Sequence, residues 1–344
     1  MSEGVVLNPT RLVLAALIGL VILLVLIIKF NVQAMIAILI GAISIGLLAG
    51  MPTKDIIAAV NDGIGNTLKG IALLVGLGSM FGAILEVSGG AQTIAVTMVK
   101  KFGDEKAAWA LGITGLVIAM PVFFDAGLII LIPLAFSLAK KTKRSSLHYV
   151  IPLLAGLAVG HAFIPPTPGP IAAASTLGIG DNLLMVMGIG ALCSVFPLIA
   201  GYFYAKYIGK KVTADDEANC NDVKKSYEEL VAEYGKLPNG FIALAPILIP
   251  ILLMGASSIA SMAGWSGTAN DILKFLGTPI IALAVGTIFG VIQLVGARRI
   301  DKFYDLTNET LKTVGPILFV TAAGGVLGKV IASTSMIDYI TQNA

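Results

Sequence analysis

Residues 147–177 read LHYVIPLLAGLAVGHAFIPPTPGPIAAASTL. An apolar run leads into a block with four prolines between Pro165 and Pro170, and a second apolar run follows. Each proline removes an N–H and clashes with the preceding turn, so no continuous helix passes through the block. Flanks this apolar belong in hydrocarbon. An interrupted backbone persists there only where protein buries it or where it lines a cavity. The stretch therefore predicts a discontinuous membrane helix, broken at Ile164–Pro170.

The rest of the chain agrees with a membrane setting. Of 344 residues, 57% are apolar and 12% charged, against about a quarter charged in soluble domains. So few charges cannot clothe a water-facing surface, which excludes an ordinary soluble protein. No HExxH, GxSxG or Walker pattern occurs, so the sequence does not read as an enzyme. Cys193 and Cys220 suggest no disulfide framework. The first apolar run, Leu12–Ile28, is too long for a signal-peptide core and lacks a basic leader, so it is expected to remain as a helix.

Hydropathy places spans at about 12–29, 33–51, 68–87, 182–205, 241–263, 277–297 and 314–334. Residues 53–67, 89–104 and 300–313 read as amphipathic interfacial pieces. The apolar stretch 107–139 is interrupted at Pro121 and Asp125-Ala-Gly127. It has basic residues at both ends, and each half is short for the ~20 residues of a crossing. A re-entrant hairpin with its tip near Asp125 meets both conditions. Placing Lys140, Lys141, Lys143 and Arg144 in the cytoplasm puts the N-terminus outside. The expected organisation is an N-terminal helix over 1–32, a first repeat over 33–208 (hairpin 107–139, broken helix 147–177), a cytoplasmic loop over 209–240, and a linking span with an incomplete second repeat over 241–344.

The repeat rests on particular residues. Thr67-Leu-Lys69 matches Thr310-Leu-Lys312, and at the same offset Gly82 matches Gly325 and Val87 matches Val330. Gly41-x-Ile43 and Gly46 resemble Gly286-x-Ile288 and Gly290. The charge pattern orients the two Gly-rich spans oppositely, giving inverted repeats, an arrangement common in secondary transporters. Completing the second repeat predicts a protein of about 450 residues, so about 100 residues are expected beyond Ala344. The fold class is thus an all-α polytopic membrane protein: an inverted-repeat transporter with a re-entrant hairpin and discontinuous helices.

Two polar side chains stand at the breaks. A carboxylate at bilayer depth costs about 2.5–3.5 kcal/mol on insertion scales, so Asp125 must face protein or water. It is a candidate proton carrier or substrate ligand; its structural alternative is to cap a helix beginning at Ala126. His161 can shuttle a proton or donate to a carboxylate, or it can simply satisfy a freed carbonyl. With Pro170 opening a new helix, the N–H groups of 171–173 and the Thr167 hydroxyl form a candidate carboxylate site. Glu86 and Lys329, at matching repeat positions, read as snorkelling span-end charges. Gly178-x-Gly-Asp181 spells an aspartyl-protease pattern, but Asp181 falls in an outer turn, away from Asp125, and a protease dyad needs two adjacent carboxylates.

The blocks Gly78-Ser-Met-Phe-Gly82, Glu86-Val-Ser-Gly-Gly-Ala91, Pro121-Val-Phe-Phe-Asp-Ala-Gly127, His161-Ala-Phe-Ile-Pro-Pro-Thr-Pro-Gly-Pro170 and Ala322-Ala-Gly-Gly-Val-Leu-Gly-Lys-Val330 closely resemble the gluconate permease (gluconate:proton symporter) family of the ion-transporter superfamily. The resemblance runs in order along nearly the whole chain. It implies a multi-pass bacterial inner-membrane importer of gluconate or a related sugar acid. The proton is the coupling ion, and no cofactor, metal or nucleic acid is involved. Lipid is the surrounding partner, and a homo-oligomer is compatible with it. Family members that take D-serine or other small hydroxy acids keep a second substrate class open; sodium coupling and a passive anion channel are the remaining alternatives. The expected substrate and proton site comprises Asp125, Phe124, Gly127, His161, Pro166, Thr167 and Gly169, with Ser79, Gly82 and Gly325 from the Gly-rich spans. Thr167 stands where the family often has histidine, which implies altered proton handling or specificity.

Overall fold

A computed structural model describes the chain except residues 1–8, 121, 123, 166, 180–181, 212–239 and 335–344. The expected loop 209–240 lies almost wholly outside the described residues. Those described form helices joined by short turns, with no strand among them. Six helices are long and apolar enough to cross a membrane: α1 (Pro9–Ile28), α3 (Thr53–Val87), α9 (Leu183–Lys211), α10 (Gly240–Met262), α12 (Pro279–Gly296) and α13 (Phe303–Ser333). Between them lie α2 (Ala34–Leu48), α4 (Gly90–Phe102), α5 (Ala107–Ile118), α6 (Phe124–Thr142), α7 (Leu147–Phe163), α8 (Pro168–Thr176) and α11 (Thr268–Gly277). The protein is an all-α, multi-pass membrane protein.

The chain forms two compact units, one of residues 1–72 and 313–344, the other of 73–312. In the first, α1 and α2 run antiparallel in close contact. A β-carbon on Gly19 would stand 2.2 Å from Ile45 Cγ1, and one on Gly41 would lie 3.1 Å from the Gly19 carbonyl. The first part of α3 crosses the second part of α13 just as closely. Gly63 faces the Val326 backbone, and a β-carbon on Gly325 would stand 1.9 Å from Thr67 Oγ1. Small residues let backbones approach in this way, which is how membrane helices gain contact without a hydrophobic drive between them.

The second unit is built around α7. Its Gly156 and Gly160 pack on α5: a β-carbon on Gly156 would lie 2.0 Å from the Gly112 carbonyl oxygen, and one on Gly160 2.8 Å from the Leu116 oxygen. On another side α9 descends antiparallel to α7, with Gly209 against His148, Gly201 against Ala155 and Gly190 against the Phe163 carbonyl. On a third, Gly127 of α6 meets Leu157, and Thr142 shares a 2.8 Å hydrogen bond with Tyr149. The core holds Leu111, Ile118, Leu131, Leu153 and Leu157, all at most 1% exposed.

These contacts make α5 and α6 an antiparallel hairpin. Its base is clasped by Lys141 Nζ on Asp104 at 3.0 Å, and its tip lies between Ile118 and Phe124. At 12 residues, α5 is about 18 Å long, well short of the ~30 Å of hydrocarbon.

Two boundaries differ from expectation. Residues 53–67 do not form a separate piece but belong to one 35-residue helix ending at Val87. Residues 303–333 are likewise continuous. In α3 the buried residues Ile56, Ala59 and Gly63 recur at helical spacing, while Lys54, Asp55, Asn61 and Asp62 are exposed. The change in composition marks a change of surroundings along one helix, about 52 Å long, rather than a break in it.

Candidate functional site

The breaks after α5 and α7 sit at one level of the second unit. α5 and α7 run in the same direction, their glycines in register, so Ala119 at the hairpin tip lies against Gly160, whose β-carbon would stand 2.8 Å from Ala119 Cβ. Past the tip, Gly127 is buried against Leu157, where a β-carbon would meet Leu157 Cδ2 at 2.7 Å. Leu157 and His161 are four residues apart and share one face of α7. The first turn of α6 therefore rests beside His161. Asp125 lies in that turn. The imidazole is half-buried, with Nδ1 enclosed.

Asp125 itself is exposed on the protein surface. Because α6 begins at Phe124, Asp125 falls inside the first turn rather than at a cap before Ala126. A carboxylate there interacts favourably with the positive end of the helix dipole. Phe124 is half-buried against the unit's core.

In the second break Ile164 is extended and fully buried. Thr167 is 5% exposed, and its hydroxyl donates to the Ile164 carbonyl at 2.8 Å. A threonine has one O–H donor, so in this conformation Thr167 offers a ligand only lone pairs. α8 starts at Pro168, not Pro170, because proline's fixed φ already suits the first helical position. The Ile171 N–H is consequently taken by the Thr167 carbonyl. Of Pro168-Gly-Pro170 only Gly169 has an N–H. Gly169 is exposed, and a β-carbon there would meet nothing within 4 Å. This first turn is thus an open helix N-terminus with a single donor.

Ser79, Gly82 and Gly325 lie on the Gly-rich helices α3 and α13. Ser79 is buried, but its hydroxyl bonds to Val75 O within α3 at 2.6 Å. Gly82 is buried in the same helix. Gly325 belongs to the first unit, where it packs on Thr67. Pro166, and Asp181 of the protease pattern, lie outside the described residues.

Features not singled out in the sequence also bear on the site. Gly112, Gly115, Gly156 and Gly160 set the α5–α7 crossing that holds the two breaks level. The small-xxx-small spacing of Gly156 and Gly160 is the signal that identifies them. Gln92 on α4 is 9% exposed, and among the described residues neither of its amide atoms has a partner; Thr114 Oγ1 on α5 is in the same state. α4 and α5 are joined by the short turn 103–106 and pack together, so they run antiparallel, with Gln92 and Thr114 within about a turn of one level. Beside the break tips, Met120 and Pro165 line an apolar cavity of ≈ 30 Å³ closed by Phe81, Met187, Met254 and Leu283. Such a space holds about one water, too little for a sugar acid.

Comparison with known proteins gives one family match and three relatives. The family profile described as GntP family permease matches residues 11–344. The low-affinity gluconate transporter of Escherichia coli K12 is 34% identical over 331 residues, covering 94% of this chain and 72% of that protein. The gluconate permease of Bacillus subtilis 168 is 32% identical over 338 residues, 96% of this chain and 74% of the relative, and the Gnt-II system L-idonate transporter of E. coli K12 is 30% identical over 329 residues, 94% and 72%.

Proposed function

We propose, this chain belonging to the GntP family of permeases, that it imports gluconate or a closely related sugar acid together with protons across the inner membrane. As a permease it moves a solute and catalyses no covalent chemistry. The sugar-acid substrate is suggested by relatives named for gluconate and L-idonate.

The observation that carries the mechanism is the meeting of two helix breaks at one level, with the first turn of α6, which holds Asp125, beside His161. A carboxylate and an imidazole at neighbouring interruptions of the backbone are groups able to take up and pass a proton. The open first turn of α8, with the Gly169 N–H and the positive end of its dipole, favours the substrate carboxylate. Thr167 stabilises the break by holding the Ile164 carbonyl. The α5–α6 hairpin enters and leaves the membrane on one side, since both of its ends meet at Asp104 and Lys141. One proton moving with a monoanion carries no net charge, so the pH gradient and the substrate gradient drive that cycle. Each additional proton adds about 2.3 kcal/mol per 100 mV of membrane potential.

The test is uptake of radiolabelled gluconate into proteoliposomes under an imposed pH gradient, with and without sodium. Accumulation driven by the pH gradient alone is expected. Accumulation that needs sodium overturns proton coupling, and uptake of D-serine without gluconate overturns the substrate.

A further inference from the structure

In the first unit, α1 and α2 leave between them an open groove of ≈ 500 Å³ lined by Thr10, Arg11, Leu14, Ile18, Leu47 and Leu48 among others. Its walls are apolar and exposed: Leu14 is 50%, Ile18 45% and Leu47 53% exposed. Its head is a guanidinium. Arg11 Nε donates to the Leu48 carbonyl at 2.9 Å, and no other partner takes the remaining N–H groups of Arg11 among the described residues. Gly50 has φ +83°, and a β-carbon there would stand 3.0 Å from Arg11 Nη2. A glycine is therefore required at this point both by the backbone and by the space the guanidinium occupies.

The position along the membrane normal completes the argument. α1 has 20 residues and is about 30 Å long, the thickness of the hydrocarbon. Arg11 lies in its first turn and Lys29 just past its last residue. The guanidinium is thus held at the level of the phosphates, while the groove below it runs at the level of the acyl chains. An Arg fork pairs with phosphate oxygens through parallel charge-assisted hydrogen bonds. Leu48 fixes Nε and leaves the terminal nitrogens to do so. We propose that this groove binds a phospholipid with an anionic headgroup: its phosphate sits on Arg11, and one acyl chain lies along Leu14, Ile18 and Leu47. The charge at the head selects the phosphate, and the apolar walls distinguish a lipid from a free anion.

Native mass spectrometry on the detergent-purified protein with equal amounts of phosphatidylglycerol and phosphatidylcholine tests this. Phosphatidylglycerol is expected to stay bound one-to-one at activation energies that strip phosphatidylcholine, and millimolar inorganic phosphate is expected not to displace it. Arg11→Gln should lower phosphatidylglycerol retention about tenfold, the loss of a hydrogen bond to a charged group. Ile18→Trp fills the groove without touching the guanidinium and should lower it too, so that a folding defect in the first variant leaves the second to decide. Equal retention of both lipids by the wild type, wild-type retention by both variants, or displacement by inorganic phosphate overturns the proposal. A wild-type dimer that Ile18→Trp splits, with no lipid bound, assigns the groove to a second copy of the chain instead.

Discussion

Gly156 of α7 and Gly112 of α5 pass backbone to backbone, with room for no side chain between them: a β-carbon on Gly156 would lie 2.0 Å from the Gly112 carbonyl oxygen. The obstructing atom is main chain, so neither helix can yield without moving the break it carries. Gly156→Ala is expected to destabilise the protein by about 1–3 kcal/mol, as overpacking does, and to reduce uptake because Ala119 and Gly160 no longer align. Gly169→Ala meets open space and should leave the melting temperature unchanged. Thermal unfolding in detergent compares the two.

Asp104 and Lys141 close the base of the α5–α6 hairpin but are 49% and 64% exposed. Lys141→Ala should therefore cost little, roughly 0.2–1 kcal/mol. Cysteines placed singly at these positions should react with an impermeant maleimide from the same side of the membrane. Labelling from opposite sides would show that the stretch crosses the bilayer.

Asp125→Asn keeps the size of the side chain and removes its titration. If this carboxylate carries the proton, pH-driven accumulation disappears while substrate exchange at equilibrium persists. Accumulation equal to the wild type would take Asp125 off the proton path and leave it as a dipole-stabilising residue of α6.

Thr167→Val keeps the branched shape at a buried position and deletes the hydroxyl that holds Ile164 O. An unpaired buried carbonyl costs about 1–3 kcal/mol. The variant should melt earlier and transport poorly, and Thr167→Ser should restore both. Restored stability without transport would instead assign the threonine a contact with substrate.

Gln92 buries an amide whose two polar atoms have no partner among the described residues, each at a cost of about 1–3 kcal/mol. Gln92→Met fills the same space without that cost and is expected to raise the melting temperature. A simultaneous fall in uptake would mean that the amide serves water, proton or substrate during the cycle. Unchanged uptake would mean that it serves none of them.

Much of the site was legible because it depends on composition. A run such as Pro165–Pro170 cannot be helical, and an apolar stretch holding one aspartate cannot leave it in lipid, so both breaks could be placed from residues alone. Where α8 begins was not legible, because Pro168 and Pro170 suit a first turn equally and only the folded backbone chooses. Nor was the continuity of α3: charged Lys54, Asp55 and Asp62 read as an interface, yet a helix passes through wherever one face, here Ile56, Ala59 and Gly63, finds a partner.

By itself the sequence determined that this is a helical, multi-pass membrane protein with two interrupted helices and an acid and a histidine at the interruptions. Those facts follow from solvation, proline geometry and residue order, which need no knowledge of neighbours. Only the tertiary structure decided that the interruptions lie level, that the first turn of α6 with Asp125 rests beside His161, that the Thr167 proton is already spent on Ile164, and that Gly325 packs on Thr67. Each depends on how closely two backbones approach, a distance that glycine permits at many places in the chain and that packing realises at few.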